Sequence, residues 1–487
     1  MSAADAQFGP EAERLLAAGR AAEALQVAEA WCAKARTSVA AWLARASADM
    51  QLGRMDAADR GLEAAERIAP RDRRVAFLRG LVDQHLGRTD SSVARLRPLT
   101  AGDGADAVEA WLALADSLWI GGRTDELREE LARSGPWAAD PRHAMWVARG
   151  ASATDPEGAA TALRGIAESS PNPVLRRVAG FDAVRLLDRA GRFREALELA
   201  GRLHADTGKP FDMEAFLAPV RMQRALLDGG RWFTPQPAPV EGLAMLVALP
   251  RSGTSLLEQM LDAHPAVSGI GEYEGVRLMG ESLAAMGRTG RALSQLSRPD
   301  AIRLQRAYLD DALRRRRRGA RWMLDKTLRA WRLLPALAAV LPGTRCLHVV
   351  RDPRDMAISI HLSFFRPDRD GWTASLEMIR RVVEAQESIL PEALSTLGLP
   401  HETVVYEDLV ADPAEGAGRC LRLMGLSMED AVLRPQDNRR TVHTLSHAQV
   451  RQPINSSSIG RWRNYEWAFG PEWDALVARH EARRASR

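Results

Sequence analysis

Over the first two hundred residues, apolar positions recur at a helical period and are interrupted at near-constant intervals by a glycine. In AWLARASADMQLGRMDAADRGLEAAERIAP (41–70), Trp42, Leu43, Ala46 and Met50 share one helix face, and Ala57, Leu62 and Ala65 share the next. Gly53-Arg54 stands between the two patterns. The same pair occurs as Gly19-Arg20, Gly87-Arg88, Gly122-Arg123 and Gly191-Arg192, at intervals of 34, 34, 35 and 69 residues, the last being two units. This spacing predicts six or so helix–turn–helix units over residues 8–205, of which the one around 140–175 is hard to see.

The pattern then changes. After RLHADTGKPFD, a helical bridge leads to FTPQPAPVEG (233–242), whose three prolines predict a short stiff linker and a domain boundary in it or just before it. From residue 243 onward, short apolar runs alternate with helical stretches. Strands are expected at Leu243–Leu249, Trp322–Leu324, Cys346–Val350 and Thr403–Tyr406. That order describes an α/β domain with a mostly parallel sheet, which binds ligands beyond the C-terminal strand ends. The expected organisation is therefore a helical array over 1–205, a bridge and linker over 206–242, and an α/β domain over 243–487.

A chain of 487 residues exceeds one ordinary core, in keeping with two domains. The net charge of +4 is small, and charges of both signs are interspersed, which argues against a nucleic-acid binder. No apolar run approaches the length of a membrane span, and the N-terminus lacks the basic-then-apolar order of a secretory signal. Cys32, Cys346 and Cys420 have neither metal-ligand nor disulfide spacing. The expectation is a cytoplasmic protein without a bound metal. The run Arg314–Arg318 reads first as a solvated helix end and second as a patch for an acidic substrate or partner.

The chemistry gathers at two strand–turn–helix units. MLVALPRSGTSLLEQML (245–261) is an apolar strand, a small-residue turn with an arginine and hydroxyls, and a helix. Its backbone N–H groups and positive helix end form an anion cradle. It is not a Walker A loop, because Thr254 follows Gly253 where a lysine would be needed. CLHVVRDPRDMAISIHLSFF (346–365) repeats the scheme, with Arg351 at the strand end and Ser359 two turns on, a pairing suited to a second phosphate. Two cradles without magnesium chemistry suit a ligand with phosphates at two separated positions.

At these residues the chain resembles sulfotransferases that use 3′-phosphoadenosine 5′-phosphosulfate (PAPS). PRSGTSLLEQMLDAHPAV resembles their 5′-phosphosulfate loop, VVRDPRDMAIS their 3′-phosphate motif, and VVYEDLVADPAEGAGRCLRLMGL a late strand and helix. The resemblance covers roughly 243–470. The 34-residue helical period likewise resembles tetratricopeptide repeats (TPR), and repeats fused to this P-loop-like domain describe a bacterial sulfotransferase group. The resemblance assigns Arg251, Ser252, Gly253, Thr254 and Ser255 to the 5′-phosphosulfate, and Arg351 and Ser359 to the 3′-phosphate, with Tyr406 nearby. It places Lys326, in WMLDKTLRAW, as the catalytic lysine against the sulfate, alongside Arg251.

In-line sulfuryl transfer needs a base for the acceptor hydroxyl and positive charge for the leaving oxygen. Cytosolic sulfotransferases place a histidine base two residues after the lysine; here that position is Leu328. The resemblance to tyrosylprotein sulfotransferases, where a glutamate follows an LDAHP segment, points instead to Glu272, with Glu274 as fallback. His264 and His348 read as structural histidines. A family serine two residues before a tryptophan is replaced by Gly460, near Ser456–Ser458, while Arg461 is assigned toward the cofactor. The expected function is a PAPS-dependent sulfotransferase acting on a hydroxyl of a peptide, glycan, lipid or small molecule. A P-loop nucleotide kinase or NTPase is one alternative. The other is a non-catalytic repeat protein with a degenerate nucleotide-binding domain. For the array itself, capture of a protein partner and a rigid scaffold are both open readings.

Overall fold

The computed structural model describes residues 3–206, 210–438 and 452–485. The first two hundred residues form six helical hairpins, from Ala3–Ala17 with Ala21–Lys34 to Pro173–Arg189 with Phe193–Ala205. Each Gly-Arg pair is the turn of one of them. The five glycines take φ of +68 to +79°, and the next arginine N–H reaches back to the carbonyl five residues earlier, as Arg54 does to Asp49 at 2.7 Å. This is a left-handed helix stop of the Schellman type, which a residue with a Cβ enters at a cost. The hairpin hidden in the sequence, Pro141–Ala151 with Pro156–Ser169, lacks the glycine. There the Asp155 carboxylate accepts the Gly158 N–H at 2.9 Å, and Pro156 opens the second helix.

Five parallel strands make the sheet: β1 Leu243–Val247, β2 Val267–Gly271, β3 Trp322–Asp325, β4 Arg345–Val350 and β5 His401–Val405, in the order β2-β3-β1-β4-β5. β1 is central and wholly buried, because helices cover both faces. Leu243, Met245 and Val247 pack on one side with Trp331, Leu337 and Ile360, while Ala244 and Leu246 pack on the other with Leu257, Leu261 and Leu421. Four strands fall where apolar runs predict them. β2 is the addition: AVSGIG carries too few β-branched residues to read as a strand, yet it forms an edge against β3.

That edge also accounts for part of the arginine run. The Arg317 guanidinium donates to the carbonyls of Asp262, His264 and Val267, its N–H donates to Ser268 Oγ at 2.9 Å, and Arg315 lies over the Tyr273 ring. Arg315 and Arg317 thus depart from a merely solvated helix end; both hold β2 and the segments around it.

The chain divides into two compact units between Ala162 and Leu163, upstream of the proline-rich segment. Pro173–Arg189 and Phe193–Ala205 continue the repeat period but pack within the second unit. His204 stacks on His361, its Nε2 2.9 Å from the His361 carbonyl, and Arg177 lies over Phe181 and Phe364. The proline-rich segment also contributes to the core of this unit. Phe233 and Val240 join the sheet's core with Leu217 and Val220, and the Val240 N–H donates to Pro342 O at 2.6 Å. Phe233, Pro237 and Val240 are buried, while Thr234, Gln236, Ala238 and Pro239 between them are exposed.

Candidate active site

The first cradle follows β1. Ser252 Oγ donates to Leu249 O at 2.8 Å and closes the turn, and the helix Thr254–Asp262 starts at Gly253, whose φ is +103°. A Cβ on Gly253 would lie 2.3 Å from the Tyr406 ring, so only glycine lets this tyrosine, which opens the helix after β5, close over the loop. Arg251 is the one non-glycine residue with positive φ (+68°) among the described residues. That conformation costs about 1–2 kcal/mol, a type of strain that gathers at functional sites. Thr254 and Ser255 open the helix, both buried, in the turn whose N–H groups have no intrahelical acceptor.

The second cradle interlocks with the first. Arg251 Nε donates to Ser359 Oγ at 2.8 Å, and Arg351 Nη1 donates to the Arg251 carbonyl at 2.9 Å. Ser359 lies on the helix Pro353–His361, and Arg351 stacks 4.8 Å over the Tyr406 ring. Burial, together with the charges of Arg351 and Arg461, depresses the Arg251 guanidinium to about 10. Arg351 Nε is buried with no hydrogen-bond acceptor among the described residues. Clustered cations and an orphaned donor fit an anionic ligand at this point.

A strap late in the chain is pinned to Arg351 and to the helix that follows it. Arg351 Nη2 donates to Ser458 O, and the buried Asp355 carboxylate accepts the N–H groups of Gly460 (2.7 Å) and Trp462 (2.8 Å). Gly460 has φ +74°, a backbone reason for glycine where the family resemblance expects serine. Arg461 donates to Asp188 on the helix Pro173–Arg189, and Tyr465 OH donates to the same carboxylate at 2.7 Å. Arg461 therefore reaches this region already bound to a carboxylate from the last hairpin. Nothing in the sequence pointed to Asp188.

The third group lies at the ends of β2 and β3. Lys326 is 1% exposed, and its Nζ sits 3.3 Å from Glu272 Oε1 and 3.6 Å from Glu258 Oε2. Glu272 is half exposed, whereas Glu258 is as buried as the lysine. Glu274, two residues on, pairs with Arg277 and lies 3.5 Å from Arg369. His264 Nδ1 accepts the Ala266 N–H at 3.0 Å and holds a turn, while His348 is buried within β4.

Asp325, just before Lys326, is fully buried. It accepts the hydroxyls of Tyr308 and Thr327, each at 2.5 Å, and burial pushes its carboxyl up to about 7. A carboxyl raised in the folded state binds its proton there at pH values where the unfolded chain has lost it. Its contribution to stability therefore falls as pH rises from about 4 to about 7. In denaturation measurements, the stability difference between wild type and Asp325→Asn should slope by up to about 1.4 kcal/mol per pH unit across that window. A difference independent of pH would show Asp325 ionised throughout.

Comparison with known proteins bears on the same segment. The Sulfotransferase family profile matches residues 244–430. Protein-tyrosine sulfotransferase 1 of Danio rerio is 27% identical over 244 residues, 45% of this chain and 65% of that protein. Nodulation protein NoeE of Sinorhizobium fredii is 26% identical over 259 residues, 46% and 61% of the two chains. An uncharacterized Aquifex aeolicus protein is 26% identical over 241 residues, 47% of this chain and 32% of its own length. The chain thus spans a third to just under two thirds of these relatives. The solved sulfotransferase domain of the Synechococcus olefin synthase aligns with 47% of the chain and 89% of its own, at 19% identity and a TM-score of 0.33.

Proposed function

From a chain whose C-terminal half carries a sulfotransferase family domain, we propose a PAPS-dependent sulfotransferase acting on an acceptor hydroxyl. The observation that carries the reading is the interlocked pair of arginine cradles beside a buried lysine–carboxylate cluster. Arg251 and the loop from Ser252 to Ser255 would hold the 5′-phosphosulfate. Arg351 and Ser359 would hold the 3′-phosphate, with Tyr406 beneath the arginine and Arg461 at the rim. When bound, PAPS supplies a sulfuryl group joined through oxygen to a phosphate leaving group.

The residues then divide the work. Arg251 and Lys326 present positive charge toward the sulfate and its bridging oxygen, within a region largely closed to water where charge is weakly screened. Glu272 is the base. It reaches solvent, where an acceptor arrives, yet lies within hydrogen-bonding distance of Lys326. A proton leaving the acceptor hydroxyl moves to a Glu272 carboxylate oxygen. A magnesium-dependent kinase or NTPase would lack a Walker lysine at Thr254.

The test is ligand preference. Adenosine 3′,5′-bisphosphate, the product nucleotide, should raise the melting temperature without magnesium, because a ligand binding only the folded state stabilises it. Magnesium-ATP should raise it less. Equal shifts would point to a general nucleotide binder. Protein incubated with labelled PAPS and hydroxyl compounds would then identify the acceptor. A tyrosine peptide comes first, given the relative named a protein-tyrosine sulfotransferase.

A further inference from the structure

Lys326 is a cation that burial opposes, and two carboxylates face it unequally. Glu272 is half exposed and, as base, loses its negative charge when it takes a proton. Glu258 is 1% exposed, 3.6 Å away, and stands on the cradle helix one turn past Thr254. Its other oxygen accepts the Gly271 N–H at 3.1 Å, and the Gly271 carbonyl accepts the Lys326 N–H at 3.0 Å. One carboxylate thus spans the cradle helix, the strand end leading into Glu272, and the lysine. The other ionisable groups on this side are Asp325, held by Tyr308 and Thr327, and Arg315 over Tyr273.

We propose that Glu258 is a positioning residue that keeps Lys326 protonated and aimed at the transferring group, at the moment when Glu272 can no longer do so. This rests on the sulfotransferase reading above. The physical requirement is plain. A buried ammonium left without a counter-charge sheds its proton instead of paying the desolvation cost, and a neutral amine cannot stabilise charge on a leaving oxygen. Glu258 never meets the acceptor, so its charge persists through the reaction.

The experiment titrates adenosine 3′,5′-bisphosphate binding between pH 7 and pH 10, and so requires no known acceptor. Wild type and Glu272→Gln should give parallel profiles. Glu258→Gln added to Glu272→Gln, which removes both carboxylates facing Lys326, should lose affinity as pH rises, approaching about ten-fold per unit once Lys326 has lost its proton. Adding Lys326→Arg to that variant should abolish the slope, because a guanidinium stays charged. A Glu272→Gln/Glu258→Gln profile parallel to that of Glu272→Gln would overturn the proposal. Failure of wild type to bind the bisphosphate at all would instead sink the sulfotransferase reading. If Glu258→Gln does not fold, the neutral pair Glu258→Gln/Lys326→Gln should regain stability. A double variant no more stable than the single one would also overturn it.

Discussion

Glu272→Gln is expected to lower kcat by about 10²–10⁴-fold, the usual contribution of a general base, while leaving bisphosphate affinity nearly intact. Glutamine keeps the shape of the side chain and an oxygen to accept the Lys326 hydrogen bond, but it cannot take the acceptor's proton. Because Glu272 is half exposed, the melting temperature should change little. Lys326→Ala is the contrasting case. It also removes activity, but it strands the buried Glu258 without its cation, a loss of about 3–5 kcal/mol for broken buried pairs. The two variants are therefore separated by calorimetry even if both are inactive. A Glu272→Gln enzyme retaining more than about a tenth of wild-type turnover would place the base elsewhere. Glu274 would be next, although its carboxylate already faces Arg277 and Arg369.

Arg351→Ala should weaken bisphosphate binding by about 1.5–3 kcal/mol, ten-fold or more in affinity. The side chain does more than await a phosphate. It donates to the Arg251 carbonyl and to Ser458 O, and stacks on Tyr406. Its loss would loosen the Arg251 turn and the strap at once, so the melting temperature should fall as well. Asp355 keeps its amide donors from Gly460 and Trp462, which limits that fall. Lysine should not restore affinity, since it has neither the planar fork nor the stacking face. Isothermal titration showing unchanged affinity for Arg351→Ala would mean that the 3′-phosphate binds away from this cradle.

Parts of this architecture were legible because they are local. A positive-φ glycine between two helical patterns announces a hairpin turn, and five of the six hairpins carry one. A strand buried on both faces reads as an apolar run, as β1, β3 and β4 did, and the edge strand β5 was read from its buried end at Val404 and Val405. The arginine–hydroxyl cradles and Lys326 stand at strand ends, where polar residues break those runs. β2 escaped because an edge strand of small residues looks like a loop until its partner is known. Glu258 escaped for a different reason. Its helix is buried on nearly every side, including Gln259 and Asp262, so helical periodicity could not separate a buried glutamate from a solvated one.

The sequence by itself determined the repeat period, the α/β order and the residue types of both cradles. Each depends on contacts within a turn or a helix, or on whether a segment is apolar. The tertiary structure alone decided that Arg251 binds Ser359 and Arg351, that the last hairpin sends Asp188 to Arg461, and that Glu258 rather than solvent faces Lys326. These pairings join residues up to 273 positions apart. Charge and hydrogen bonding act through space, so a partner is chosen by which strand ends the sheet order makes neighbours, and distance along the chain carries no record of it.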